Sequence, residues 1–176
     1  MVACLVHTAK NKRGTSITVA RRASTTEAAD IRDSNDQSGS HVDSQELHER
    51  LIKSATDNDA DSMLLLLEMH ADEIDINYRE NVDEQTPLIC AVKSGHSEVV
   101  EILLQNENID PNAHNKYGNH ALSLATYFNH IECVRLLLQH PRIDINNKHA
   151  EGDTALSLAK TKGHSEIIEL FEALCS

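Results

Sequence analysis

Histidine, cysteine and clustered aspartate are the residues here that could do chemistry, and spacing decides what each set is for. The chain holds eleven histidines and four cysteines. A zinc site needs ligands a turn or a tight loop apart, as in H-E-x-x-H or C-x-x-C. His96, His130 and His164 instead recur at intervals of 34, and Cys4, Cys90, Cys133 and Cys175 form no close pair. Asp57, Asp59 and Asp61, with Glu68, match the first, third, fifth and twelfth positions of a calcium loop. The turn glycine of such a loop is replaced by Ser62, and Met63 to Leu67 is an apolar run that reads as a buried helix. A helix cannot also wrap an ion as a loop. Cys90 and Cys133 fall at core positions of a helical pattern, where a thiol acts as a small hydrophobe. No G-x-S-x-G, phosphate loop or carboxylate pair is present. The residues therefore point to no catalytic site, no metal and no cofactor.

Charge is divided unevenly. Residues 1–43 carry six basic and five acidic side chains, whereas residues 44–176 carry 10 and 23, for a net charge of −12 overall. An acidic body repels phosphate backbones, which argues against nucleic acid. It favours a protein partner with a basic or mixed surface. Scattered, unpaired cysteines fit a reducing compartment, cytoplasm or nucleus. No apolar run approaches the ~20 residues of a membrane span.

The first 26 residues contain five Lys/Arg and no acid, the composition of an organellar transit peptide. The alternative is a disordered regulatory tail over 1–43, because its Ser-, Thr- and Asp-rich composition cannot offset the entropy of ordering. Arg21-Arg22-Ala23-Ser24 has the form of a basophilic kinase site, and a phosphate on Ser24 would add roughly −1.5 to −2 charges beside two arginines.

From residue 44 onward the chain repeats itself. Thr86, His120 and Thr154 begin three in-register copies spaced by 34, and a degenerate copy precedes them from about Glu49 to Leu67. Within a copy, Thr86 caps a helix that Pro87 opens, and Gly95 or Asn129 ends it in a left-handed conformation. Ser97 then opens a second helix, with Glu98 in its first turn and a broad apolar face from Val99 to Leu104. Ile74-Asp75-Ile76-Asn77, Ile109-Asp110-Pro111-Asn112 and Ile143-Asp144-Ile145-Asn146 close the first three copies. Two short helices cannot bury their faces alone, so the copies must stack into a solenoid.

Thr86-Pro87-Leu88, Gly95-His96, Gly163-His164, the loop glycines Gly118 and Gly152, and the Asp-x-Asn segments together resemble the ankyrin repeat. The resemblance covers residues 44–176 in four units, about 44–77, 78–112, 113–146 and 147–176. It implies an all-α solenoid of stacked helix-turn-helix units with β-hairpin fingers, and a structural role for the recurrent histidines. Several positions depart from it. Ile89, Ser123 and Ser157 replace the histidine that follows Thr-Pro-Leu, His120 replaces a capping threonine, and Glu84 replaces a loop glycine. Each unit is one residue longer than the family's ~33, the extra residue lying within 106–108 or 140–142. Glu172 in place of Leu104 and Leu138, and Glu49 in place of Thr86, read as capping ends of a complete array.

The resemblance further implies a non-enzymatic adaptor, scaffold or inhibitor that binds a partner protein on its concave face. The alternative is a regulatory or targeting subunit of a separate enzyme, switched by phosphorylation of the tail. The family's partner-contacting positions correspond to Val82, Asp83, Gln85, Lys93 and Ser94 in the second unit. In the third they are Lys116, Tyr117, Asn119, Tyr127 and Phe128, and in the fourth Ala150, Glu151, Asp153, Thr161 and Lys162. Asn77, Asn112 and Asn146 match positions that can be hydroxylated. A monomer is expected.

Overall fold

Local capping chemistry places the helices. In the computed structural model, which describes residues 5–10, 16–21, 43–149 and 151–174, the chain divides into units 1–40 and 41–176. The second unit contains eight helices among its described residues: α1 (Ser44–Asp57), α2 (Ala60–Met69), α3 (Pro87–Ser94), α4 (Ser97–Leu104), α5 (Ala121–Tyr127), α6 (Ile131–Gln139), α7 (Ala155–Lys162) and α8 (Ser165–Ala173). Thr86 and Thr154 accept from the backbone N–H three residues on, capping α3 and α7. Gly95 (φ +76°), Gly163 (φ +74°) and Asn129 (φ +59°) follow α3, α7 and α5 in the left-handed region, as the spacing predicts.

The helices form two layers. Each first helix packs on the next, α1 on α3, α3 on α5 and α5 on α7, and the second helices α2, α4, α6 and α8 stack likewise. One apolar core runs through the stack, from Leu51 and Met63 through Leu88, Leu103, Leu122 and Leu137 to Ile167 and Phe171. Leu104 and Leu138 pack against it, whereas Glu172 is exposed at the equivalent place.

Side chains from one unit bond the backbone of the next. The Asn77 amide donates to the carbonyl of Asn108 (2.8 Å) and accepts from the N–H of Asp110 (2.7 Å). Asn112 repeats this with Arg142 and Asp144, at 2.8 Å each. His96 and His130, through Nε2, donate to the carbonyls of Thr56 (2.9 Å) and Lys93 (3.3 Å). A carbonyl only accepts, so the proton sits on Nε2. His164 Nε2 is buried with no hydrogen-bond partner among the described residues.

The first helix of the first unit starts at Ser44, about one turn before Glu49, where the degenerate copy becomes recognisable in the sequence. Glu49 lies inside α1 and is exposed, and Asp43 is the cap, accepting from the N–H of Gln45. Leu47, Leu51 and Ala55 carry the buried stripe one turn further back than the degenerate copy implies. His48, on this helix, accepts from the N–H of Asp75 (2.8 Å) and stacks on Tyr78 at 4.4 Å. It therefore does for Asp75 what Asn77 does for Asp110.

The run of acids has a folding role. Asp57 ends α1, Asn58 turns the chain in the left-handed region, and Asp59 caps α2 by accepting from the N–H of Ser62 (3.0 Å).

In the other unit, strands β1 (Leu5–Lys10) and β2 (Ser16–Arg21) pair antiparallel, Leu5 opposite Arg21 and Lys10 opposite Ser16. Val6, Thr8, Ile17, Thr18 and Val19 supply β-branched residues suited to a strand, a local preference that composition averages away. Ser24 and the rest of 1–42 lie outside the described residues.

His120 contributes to the pH dependence of the fold. Its Nδ1 accepts from the N–H of Ser123 (3.3 Å), Ser123 Oγ accepts from the N–H of His120 (3.2 Å), and His120 Nε2 donates to the carbonyl of Asn147 (3.2 Å). Thus Ser123, which removes one family hydrogen bond, completes a reciprocal cap with the histidine that replaces threonine. Burial, chiefly, holds the imidazole below its ordinary 6.5, with His149 and His114 adding to the effect and Asn147 and Asp144 opposing it. Above about pH 6.5 neutral His120 adds no pH-dependent penalty, but below it the unfolded chain takes up the proton first. Stability should therefore fall as pH drops from 7 toward 5.5, and His120→Thr should flatten that fall while keeping the cap. Urea midpoints across this range provide the check; an unchanged slope in the variant would rule out this role.

Candidate functional site

The finger loops are built by short hydrogen-bonded turns. Asn115 accepts through Oδ1 from the N–H groups of Tyr117 and Asn119 (both 3.0 Å), closing the third unit's loop over Gly118 at φ +72°. His114 and His120 pair across its base, as Lys148 and Thr154 do in the fourth unit. In the second unit Glu84 stands where Gly118 and Gly152 stand and takes the same left-handed conformation, φ +54°. Its carboxylate meets Arg79 at 3.4 Å, an exposed pair that offsets little of the strain.

A knot of side chains joins the second and third fingers. Lys116 Nζ lies 2.6 Å from Asp83 Oδ1 and donates to the carbonyl of Val82 at 2.6 Å. Tyr117 OH donates to the same carboxylate (3.1 Å), and Gln85 Nε2 donates to its other oxygen (3.1 Å). The Lys116 hydrogen bond, first, holds the Asp83 carboxyl below its usual range, and Asp83 in turn raises the Lys116 ammonium. Gln85 is itself buried, so it positions Asp83 from below.

The ends of the first helices form the second part. Tyr127 and Phe128 are 49% and 42% exposed, and their rings meet edge to face at 5.1 Å. Lys162, from the next unit, places its ammonium 4.1 Å from the Tyr127 ring centroid. Phe128 also stacks on His130 of its own unit at 6.0 Å. Lys93, Ser94, Thr161, Glu151 and Asp153 are exposed, and Asn119 is half-buried. Tyr117, 54% exposed, and Val82, 73% exposed, crown the fingers. Ala150 lies outside the described residues.

The structure thus brings Val82, Asp83, Gln85, Lys116 and Tyr117 into one contact group, and Tyr127, Phe128 and Lys162 into another. Sequence reasoning missed Arg142, whose guanidinium donates to the carbonyls of Glu107 (2.8 Å) and Ile109 (2.7 Å) in the preceding loop. Its position within the extra-residue loop is the only signal that marks it. Of the three Asp-x-Asn asparagines, Asn77 and Asn112 are half-buried with their amides committed to the next unit, whereas Asn146 is exposed.

Of the described residues, Cys90 and Cys133 are not activated as nucleophiles. Burial, with Glu80 and Glu132 adding to it, pushes the Cys90 and Cys133 thiols up to about 11, which keeps both protonated at neutral pH. Among the described residues no group of His, Cys, Asp and Glu could hold a metal, and no helix is long and apolar enough to cross a membrane.

Paired helices stacked in two layers, with turn-built fingers at each joint, define a helical repeat protein. The chain belongs to the ankyrin-repeat family: a family model of three ankyrin-repeat copies matches residues 42–149 and 107–174. No curated protein matches the chain as a relative.

Replacing Glu84 by the residue its sister units carry relieves its left-handed strain. We expect Glu84→Gly to raise stability by about 0.5–1 kcal/mol, the difference between the strain lost and the extra entropy of an unfolded glycine. A lower urea midpoint in the variant would show that the Arg79 contact outweighs the strain.

Proposed function

We propose that this chain is a non-enzymatic adaptor, scaffold or inhibitor that grips a partner protein with its finger tips and first-helix ends. Ankyrin repeats are protein-interaction modules, which gives the broad class. The observation that supports the location is the concentration of exposed aromatics in one unit. Tyr117, Tyr127 and Phe128 are three of the chain's five aromatic rings, and all three are about half exposed on the third unit. Phe128 is not consumed in covering a neighbouring unit, since it retains 42% exposure. Rigid aromatics give large contact area for little loss of rotamer freedom, which is why they dominate binding hot spots.

The partner we propose is a protein of mixed charge, met in cytoplasm or nucleus by a monomer of this chain. The Arg21-Arg22-Ala23-Ser24 motif supports a second reading, a targeting subunit whose phosphorylation alters binding to a separate enzyme. Affinity purification followed by mass spectrometry separates the two, returning a non-catalytic ligand in one case and an enzyme in the other.

Tyr117→Ala and Tyr127→Ala should each weaken binding to the purified partner by about 2 kcal/mol, with little change in stability, because both rings are about half exposed in the free protein and touch surface side chains. Full affinity in the double alanine variant, measured by calorimetry, would remove the basis for placing the partner on this face.

A further inference from the structure

The net charge conceals a division between the two helix layers. Among the first helices, α3, α5 and α7 contain no acidic residue and three lysines, Lys93, Lys160 and Lys162, whereas α1 at the start of the stack carries Glu46, Glu49 and Asp57 beside Arg50 and Lys53. The second helices α4, α6 and α8 contain Glu98, Glu101, Glu132, Glu166, Glu169 and Glu172 against the single base Arg135. Helix dipoles favour lysine in a last turn. That effect suits the first-turn acids Glu98, Glu132 and Glu166, but Glu101, Glu169 and Glu172 lie beyond the first turn, and α1 and α5, like all four second helices, have no base in the last turn. The dipole alone therefore does not account for the sidedness.

The fingers beside the first helices offset these lysines only in part. Asp83 is neutralised by Lys116 and held by Tyr117 and Gln85. Asp153 accepts from Ser157 Oγ, a neutral donor, at 2.7 Å, so Asp153 and Glu151 of the fourth finger are acids with no ion pair among the described residues. The first-helix ends thus present two exposed rings, Tyr127 and Phe128, with Lys93 in the preceding unit and Lys162 in the following one.

Resting on the proposed binding face, we infer that its occupant is an acidic, apolar segment of the partner. An apolar side chain seats on Tyr127 and Phe128, and carboxylates on either side pair with Lys93 and Lys162. Lys162 is preplaced by its contact with the Tyr127 ring, so little side-chain freedom is lost on pairing. A partner of mixed charge then turns its acidic segment toward the first helices, although the chain as a whole is acidic.

The test uses the full chain and two labelled peptides, one of glutamates alternating with leucine and phenylalanine, the other with lysine for every glutamate. Fluorescence anisotropy gives affinity, and amide chemical shifts locate the site. The acidic peptide should bind, more weakly as salt is raised, and shift Lys93, Tyr127, Phe128 and Lys162. Lys93→Glu with Lys162→Glu should weaken it by about tenfold or more, corresponding to ~1.4 kcal/mol. Glu98→Lys with Glu166→Lys, on the other layer, should leave affinity within about twofold, as a distant screened pair would. If the lysine peptide occupies the same residues as tightly, the face stands and the charge assignment is overturned. If the acidic peptide shifts only α4, α6 and α8, the binding face itself is misplaced. Failure of the acidic peptide to bind at low salt also overturns the inference.

Discussion

A pair of helices seven to fourteen residues long has too little surface to shield its own apolar stripe, so each unit is completed by the next. Leu88, Leu122 and Ala155 in the first-helix layer, with Val100, Val134 and Ile167 in the second, are almost fully buried only because neighbouring units cover them. Burial of this kind is worth about 1.5–3 kcal/mol for each large side chain relative to exposure, and it is shared across joints. Position along the stack therefore decides what a given site tolerates. Leu104 and Leu138 pack on the core, whereas charged Glu172 stands exposed in the same register.

Apolar stacking alone leaves the register between units loose, and the polar bridges fix it. Asn77 and Asn112 reach into the following loop with both ends of the amide, which ties a donor and an acceptor at once. His96 and His130 tie the helix layers at the opposite edge of the same joints. The joint between third and fourth units is different, because His164 makes no such bond. There His120 donating to Asn147 carries the polar connection. The same joint carries Lys162 over Tyr127, so the register of the stack sets the geometry of the proposed binding surface.

Much of the fold was legible because it is local. Thr86 with Pro87, and Gly95 with Asn129 and Gly163, announce helix starts and stops through backbone geometry that needs no distant partner. The 34-residue register then gave the stack. Part of what stayed hidden depends on contacts across a joint. Arg142 clamping the preceding loop is of this kind, whereas His48 standing in for an asparagine and Gln85 supporting Asp83 from a buried site are contacts within a unit that no repeat position announces. Ser123 illustrates the difficulty: read alone it is a lost hydrogen bond, but beside His120 it completes a cap. The charge division was missed for another reason, since a net value of −12 has no direction and only the layering separates Lys93 and Lys162 from Glu98 and Glu166.

Hydrogen exchange on an Asn112→Ala variant examines the nearest-neighbour account most directly. The substitution strands one backbone acceptor and one donor, the carbonyl of Arg142 and the N–H of Asp144, at the joint between second and third units. If units are coupled chiefly through their joints, amides of α3 to α6, which flank that joint, should exchange about tenfold faster or more, as expected when a lost bridge costs ~1–3 kcal/mol, while α1, α2, α7 and α8 keep their protection. An equal loss of protection in all eight helices, or none in α3 to α6, would contradict it.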